Sequence, residues 1–399
     1  MAGRQPAAAA AVLLAVLVAP APARAAAVCQ NTAVPSPVAP AVPVEDQVYA
    51  PKRLAPFATG RGVRVAVIDS GVDAGHPQLR NRVGRGADFL RDDPNGRQDC
   101  VGHGTGVASI IAAQPSTATG FQGLAPDAVI VPIRISEQLE IDGKAVGDRG
   151  TPAQFAEAID FAAGPGNAQV INLSLVMTDD NPLVRAAVER ALAAGVVVVA
   201  AAGNLGDARG GNPTPYPAAY DGVIGVGAVN RDGSKASFSQ YGPYVDLVAI
   251  GEGVTLAALV SGHRVDNGTS FATPFVAATA ALIRQRFPGL TPAQVARRLT
   301  ATADPAPGGP RSAEYGAGLL NPYRAVTETL GPGTRPAAAP ATMSGADPAL
   351  AALDRRRARS RDRAVGFAVI GAGAVLLIAA VTVIARRGRR RGWRPARPG

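Results

Sequence analysis

Six short runs dominated by valine and isoleucine recur between residues 61 and 330, and most gaps between them carry helical spacing. The runs are 64–68 (RVAVI), 128–135 (AVIVPIRI), 170–175 (VINLSL), 196–201 (VVVVAA), 223–229 (VIGVGAV) and 245–250 (VDLVAI). They lack the apolar/polar alternation of a strand with one wet face, so they read as parallel strands buried on both sides. Helices are expected over 104–113, 152–163, 182–194, 269–287 and 292–300. Several begin with Pro directly after Thr or Asn, where a missing N–H costs nothing and the preceding side chain caps the turn. This alternation predicts an α/β fold, a doubly wound and mainly parallel sheet flanked by helices, with ligands at the carboxyl ends of the strands.

The 399 residues include 40 Lys+Arg and 30 Asp+Glu, a formal charge of +10. Its location decides its meaning. Residues 1–27 and 354–399 together hold 15 of the arginines and two aspartates, which leaves a net charge of −3 on the body between them. The basic residues flank apolar segments, a pattern that points to a lipid bilayer and away from nucleic acid. Arg4, the apolar run 7–18 and Ala23-Arg24-Ala25 give residues 1–27 the form of a cleaved secretory signal, too short to span a bilayer.

Residues 365–385 contain no charge; at about 1.5 Å per residue, a helix of that length matches a ~30 Å hydrocarbon core. The expected layout is a signal (1–27), a Pro-rich extension (28–60), the α/β body (61–330), a Pro/Ala- and Arg-rich linker (331–364), a transmembrane helix (365–385) and an Arg-rich cytoplasmic tail (386–399). The body then lies outside the cell membrane on a single-pass anchor. Cys29 and Cys100 are the two cysteines of this exported chain. A disulfide between them is favoured over two free thiols; closing a loop of about 71 residues is worth roughly 4 kcal/mol in a chain-entropy account.

Three segments carry candidate chemistry. The first strand run ends in Asp69-Ser70-Gly71, Asp99-Cys100-Val101-Gly102-His103-Gly104-Thr105 leads into a helix, and Asn267-Gly268-Thr269-Ser270-Phe271-Ala272-Thr273-Pro274 leads into another. A serine hydroxyl is a poor nucleophile until an imidazole takes its proton, and the imidazole needs a carboxylate to fix its tautomer. Asp, His and Ser in that chain order is one of the known arrangements of such a triad. Glycines beside His103 and Ser270 leave room for a peptide, and helix starts offer unpaired N–H groups to developing negative charge.

These motifs resemble those of the subtilases, the subtilisin-like serine proteases, over about 270 residues. The resemblance implies that Asp69 orients the imidazole, His103 is general base and acid, and Ser270 is the nucleophile. It assigns Asn204, in Ala201-Ala202-Gly203-Asn204, to the oxyanion hole together with the Ser270 backbone N–H, and places Ser174, Leu175, Ala202 and Gly203 along the substrate. Val176 stands where many relatives have Gly, which puts side-chain preference in doubt. Peptide-bond hydrolysis through an acyl-enzyme is implied, on protein or peptide substrates, with no cofactor.

The remaining candidates have plainer readings. His76, before a proline, is expected to be structural, and His263 to be a loop histidine. Asp73 competes with Asp69 but lies off the strand end. Asp92, Asp93 and Asp99 suggest calcium only faintly, because the ordered ligand spacing of an EF-hand is missing, so a solvated acidic loop is preferred and no metal is expected. Asn267-Gly268-Thr269 matches a glycosylation site but adjoins the nucleophile. The Pro-rich extension is too short and too low in core-forming residues for a folded inhibitor. That layout resembles the mycosins, membrane-anchored subtilases of actinobacterial type VII secretion systems. It implies processing of secreted substrates and stabilisation of a membrane secretion complex; a surface subtilase unrelated to secretion and a scaffold with secondary proteolysis are the alternatives.

Overall fold

The computed structural model describes residues 33–331 apart from 92–93, 142–143, 208–210 and 310, with backbone only for 139–141 and 144–146. The expected signal, the linker beyond 331, the 365–385 span, the tail and Cys29 lie outside the described residues. Among the described residues no helix is long and apolar enough to cross a membrane.

The helices are α1 (Val44–Tyr49), α2 (Pro51–Leu54), α3 (His103–Ala112), α4 (Pro152–Ala163), α5 (Pro182–Ala193), α6 (Thr269–Arg286), α7 (Pro292–Ala301) and α8 (Pro322–Thr327). The strands are β1 (Arg64–Asp69), β2 (Ala87–Asp88), β3 (Val129–Arg134), β4 (Leu139–Ile141), β5 (Lys144–Val146), β6 (Val170–Leu173), β7 (Val197–Ala201), β8 (Ile224–Val229), β9 (Leu247–Ile250), β10 (Val254–Ala257) and β11 (His263–Asp266). A seven-stranded sheet runs β2-β3-β1-β6-β7-β8-β9, and every pair in it is parallel. All six sequence-predicted strands are in this sheet.

Alternate residues of one strand serve two cores. Val65 and Val67 of β1 pack with Val107 and Ile110 of α3 and with Phe275 and Val276 of α6. Ala66 and Ile68 pack with Phe155 and Ile159 of α4 and Val184 and Val188 of α5. Both faces are therefore apolar, and the runs show no polar alternation. The expected helix starts hold too. Thr151 and Thr291 close capping boxes before Pro152 and Pro292, and Asn181 caps α5 before Pro182.

From β1 the chain crosses to β3 on one side, then returns through α4 to β6 on the other. Crossovers leave the β1–β6 boundary in opposite directions, which opens a crevice at the carboxyl ends of those two strands. The register sets Ile68 opposite Leu173. Asp69 and Ser174 thus emerge side by side at the switch point.

The extension is more ordered than its composition suggested. Tyr49 of α1 is buried against the Phe275 ring, with centroids 4.8 Å apart, and its hydroxyl accepts from the Ile250 N–H at 2.8 Å. Glu45 accepts from the Thr255 N–H at 2.6 Å, and Asp46 from the Gln122 N–H at 2.9 Å. Residues 36–39 lie alongside the turn into β11, where the Ser36 N–H donates to the Ser261 carbonyl and the His263 N–H to the Pro37 carbonyl.

Two expectations about single residues are corrected. His263 is no loop histidine: it opens β11, is buried, accepts from the Ala39 N–H through Nδ1 at 3.0 Å, and bonds Gln78 Oε1 through Nε2 at 2.7 Å. Asp99 does not belong to a solvated loop, because both its oxygens are filled by hydrogen-bond donors.

Candidate active site

Asp69 is the last residue of β1 and is 1% exposed. Its Oδ1 accepts from the Ser70 N–H at 2.7 Å and faces His103 Nδ1 at 2.7 Å. Beside a carboxylate, Nδ1 carries the proton, and Nε2 keeps the lone pair of a base. Asp69 Oδ2 is buried without a partner among the described residues. His103 opens α3 and remains 28% exposed. Burial of the ring favours the neutral form, but the charge of Asp69 and its hydrogen bond outweigh that. His103 consequently titrates above its ordinary 6.5, with Arg264 opposing and Asp99 assisting.

Glycine is required at 104. A Cβ there would lie 2.1 Å from the Gly71 carbonyl oxygen and 3.2 Å from Asp69 Oδ1. The close approach of α3 to the end of β1 depends on that missing carbon.

Ser270 is the second residue of α6 and half-buried. Phe271 next to it is 5.2 Å from the His103 ring between centroids, and α3 packs along α6. The Ser270 hydroxyl donates to the Ser174 carbonyl at 3.1 Å rather than to the imidazole. Pro274, inside α6, explains the second link between these serines. Lacking an N–H, it leaves the Ser270 carbonyl without its helical donor. The Ser174 hydroxyl fills that place at 2.8 Å, while accepting from Asn172 Nδ2 at 2.9 Å. The Ser174 side chain is therefore committed to α6, and only its backbone is left to face a ligand.

Asn204 follows β7. Its Oδ1 accepts from both the N–H and the hydroxyl of Thr269, at 2.9 and 2.8 Å. These two hydrogen bonds to the oxygen fix the amide so that its NH2 group points away from Thr269, as a donor. Gly203 donates its N–H to Thr269 Oγ1 at 3.1 Å and sits at φ 94°, and Ala202 is buried just past the end of β7. Leu175 lines a cleft of about 320 Å³ with Ile135, Phe155, Met177 and Arg149. No cluster of three His, Cys, Asp or Glu among the described residues is arranged to hold a metal ion. His76 is buried, with Nε2 3.3 Å from the Gly262 carbonyl, and Asp73 holds the Gly75 and Val260 N–H groups, so both side chains are engaged away from Asp69, His103 and Ser270.

A carboxylate–imidazole pair and a serine at a helix start, gathered at the switch point of a parallel sheet, define a hydrolase of the serine-nucleophile class. The chain belongs to the Subtilase family, whose profile matches residues 60–318, and it is a subtilisin-like serine endopeptidase. It is 38% identical over 330 residues to Mycosin-1 of Mycobacterium tuberculosis, covering 71% of this chain and 72% of that protein. Against Mycosin-1 of Mycolicibacterium smegmatis it is 35% identical over 382 residues, covering 84% and 82%. Subtilisin NAT of Bacillus subtilis subsp. natto is 39% identical over 277 residues, covering 69% and 68%. The crystal structure of MycP1 from the ESX-1 type VII secretion system matches with a TM-score of 0.63 at 33% identity, covering 76% of this chain and 91% of that one.

Proposed function

We propose that this chain is a membrane-anchored, extracytoplasmic serine endopeptidase associated with type VII secretion, in which Asp69, His103 and Ser270 act as the triad. The observation that carries the chemistry is the 2.7 Å bond from His103 Nδ1 to Asp69 Oδ1, which sets the tautomer and leaves Nε2 as the basic nitrogen. On reaction, the Ser270 hydroxyl leaves the Ser174 carbonyl and gives its proton to Nε2 as Oγ attacks the scissile carbonyl carbon. The oxyanion is met by the Asn204 amide and the Ser270 N–H. Collapse breaks the C–N bond, His103 protonates the departing amine, and water returns through the same groups to release the acyl chain. The Leu175 cleft receives a substrate side chain.

Identity to a subtilisin, 39% over 277 residues, is as high as to Mycosin-1 of Mycobacterium tuberculosis, 38% over 330 residues. The secretion reading is supported instead by the longer match to the Mycolicibacterium smegmatis relative, 382 residues, which reaches beyond the catalytic domain. Anchoring through 365–385 is supported by the uncharged run and its arginine flanks. The Cys29–Cys100 disulfide is supported by the absence of a free cysteine among the described residues.

Ser270→Ala is expected to abolish labelling by a fluorophosphonate probe; equal labelling of both proteins refutes Ser270 as nucleophile. Secretion restored only by chains carrying residues 28–60 and 365–385 supports the secretion role. Co-purification of the detergent-solubilised protein without any secretion component refutes it.

A further inference from the structure

We propose that Asp99 is a positioning residue that sets the geometry of the Asp69–His103 pair, an inference that rests on the triad assigned above. Five donors converge on its carboxylate. Oδ1 accepts from Ser70 Oγ at 2.9 Å, Val101 N–H at 3.0 Å and Gly102 N–H at 2.8 Å. Oδ2 accepts from the Thr105 N–H at 2.8 Å and the Thr105 hydroxyl at 2.6 Å.

The local backbone explains why this task falls to a residue four positions before His103. The first turn of α3 presents unpaired N–H groups, normally met by a side chain at the N-cap. Here the N-cap is Gly102 at φ 81°, and no side chain caps from it. A Cβ at that position would meet Leu259 at 3.2 Å. Asp99 and Ser70 supply the cap from outside: Asp99 takes the Thr105 N–H, and Ser70 Oγ accepts from the Gly104 N–H at 2.9 Å.

Ser70 closes the circuit. Its N–H donates to Asp69 Oδ1, the oxygen that holds His103 Nδ1. Asp99, Ser70, Asp69, His103 and the first turn of α3 thus form one closed ring of bonds. The ring ties β1 to α3 at the point where Gly104 closely approaches Gly71 and Asp69. Catalytic groups must be held to within about 0.5 Å of the productive geometry, and a 1 Å displacement costs about 10²-fold in rate. A carboxylate is needed because all five partners donate. An amide offers one acceptor oxygen, and its NH2 would confront backbone N–H groups that cannot turn.

The charged groups facing His103 are Asp69 from β1, Asp99 from the preceding loop and Arg264 from β11, whose Nη2 donates to the Gly102 carbonyl at 3.3 Å. Neutralising Asp99 removes negative charge near the imidazole. The protonated ring is then less favoured, and the acid limb of activity moves to lower pH.

The test uses the full-length protein in detergent and a fluorophosphonate probe, measuring kinact and KI from pH 5 to 9 with melting curves alongside. Asp99→Asn is expected to lower kinact by roughly 30- to 100-fold with KI within about threefold, and to shift the acid limb downward. Ser70→Ala keeps the carboxylate but breaks the bridge, so kinact falls about tenfold and the limb stays in place. Folded Asp99→Asn protein with wild-type kinact, or with a loss matching only its unfolded fraction and an unmoved limb, overturns the proposal. Should Asp99→Asn fail to fold, Ser70→Ala decides: kinact within about twofold of wild type overturns it. Persistent labelling of Ser270→Ala instead brings down the triad reading itself.

Discussion

Asp46 offers a quantitative test of how the extension is held. The side chain is 7% exposed on α1, and its carboxyl is pushed up to about 8 from an ordinary 3.8. Burial is the main cause; the Gln122 N–H and Lys52 oppose it and the neighbouring Glu45 adds to it. A folded pKa above the unfolded one means that the folded state prefers the proton. The contribution of Asp46 is therefore fully favourable below about 3.8 and is lost progressively as pH rises to about 8. At pH 7 the unfolded carboxyl is some three units past its pKa while the folded one is still largely protonated. At 1.36 kcal/mol per unit that is a penalty of about 4 kcal/mol.

Asp46→Asn removes the ionisation and keeps an oxygen to accept from Gln122. It is expected to raise Tm at pH 7 by up to roughly 8 °C, at about 2 °C per kcal/mol for a domain of this size, and by almost nothing near pH 3.5. Where α1 opens without the rest, the gain is capped by the docking free energy and surfaces first as slower amide exchange over 44–54. Scanning calorimetry of both proteins from pH 3.5 to 9, with exchange at pH 7, makes the comparison. A shift of the same size at every pH, or none at pH 7, refutes the reasoning.

Three further outcomes are expected. Because His103 titrates above 6.5, the pH profile of probe labelling should show an acid limb with a midpoint above that value; a midpoint below 6 contradicts the Asp69 pairing. Ser174→Ala leaves the Ser270 carbonyl with neither a helical nor a side-chain donor, and chemical denaturation should register a loss of about 1–3 kcal/mol. His263 is held down to about 4 by burial and by His76, so the stability it lends is present above its ordinary 6.5 and drains away as pH falls toward 4. Limited proteolysis should then cut residues 33–43 faster at pH 4.5 than at pH 7, and His263→Gln should flatten that difference.

Valine and isoleucine at both phases of β1, β6 and β7 made the buried parallel sheet legible, because two-sided burial erases polar alternation, and the short length and β-branched content of the runs favour strands over buried helix. Asp69, His103 and Ser270 were singled out because reactive residue types sit at a strand end and at helix starts, in motifs that resemble those of the subtilases. Asp99 was misread because its partners are backbone N–H groups and two hydroxyls, none of which marks a sequence. Tyr49, Glu45 and Asp46 were missed for another reason: α1 has six residues, too few for a periodic signal, and its burial is decided by β9, β10 and α6 far along the chain. His263 gave no motif, since a buried imidazole that accepts from a backbone N–H needs no neighbours in sequence.

The bonds of the extension span most of the chain. Ala39 reaches His263 across 224 positions, Glu45 reaches Thr255 across 210, and Tyr49 reaches Ile250 across 201. An early segment must wait for segments made some two hundred residues later before these three bonds can close. Long loops of this kind are slow to close. Until synthesis passes Ile250, the amino-terminal strap has only Thr119 and Gln122 among its hydrogen-bond partners to hold, and a chain halted earlier carries its remaining anchors unfastened.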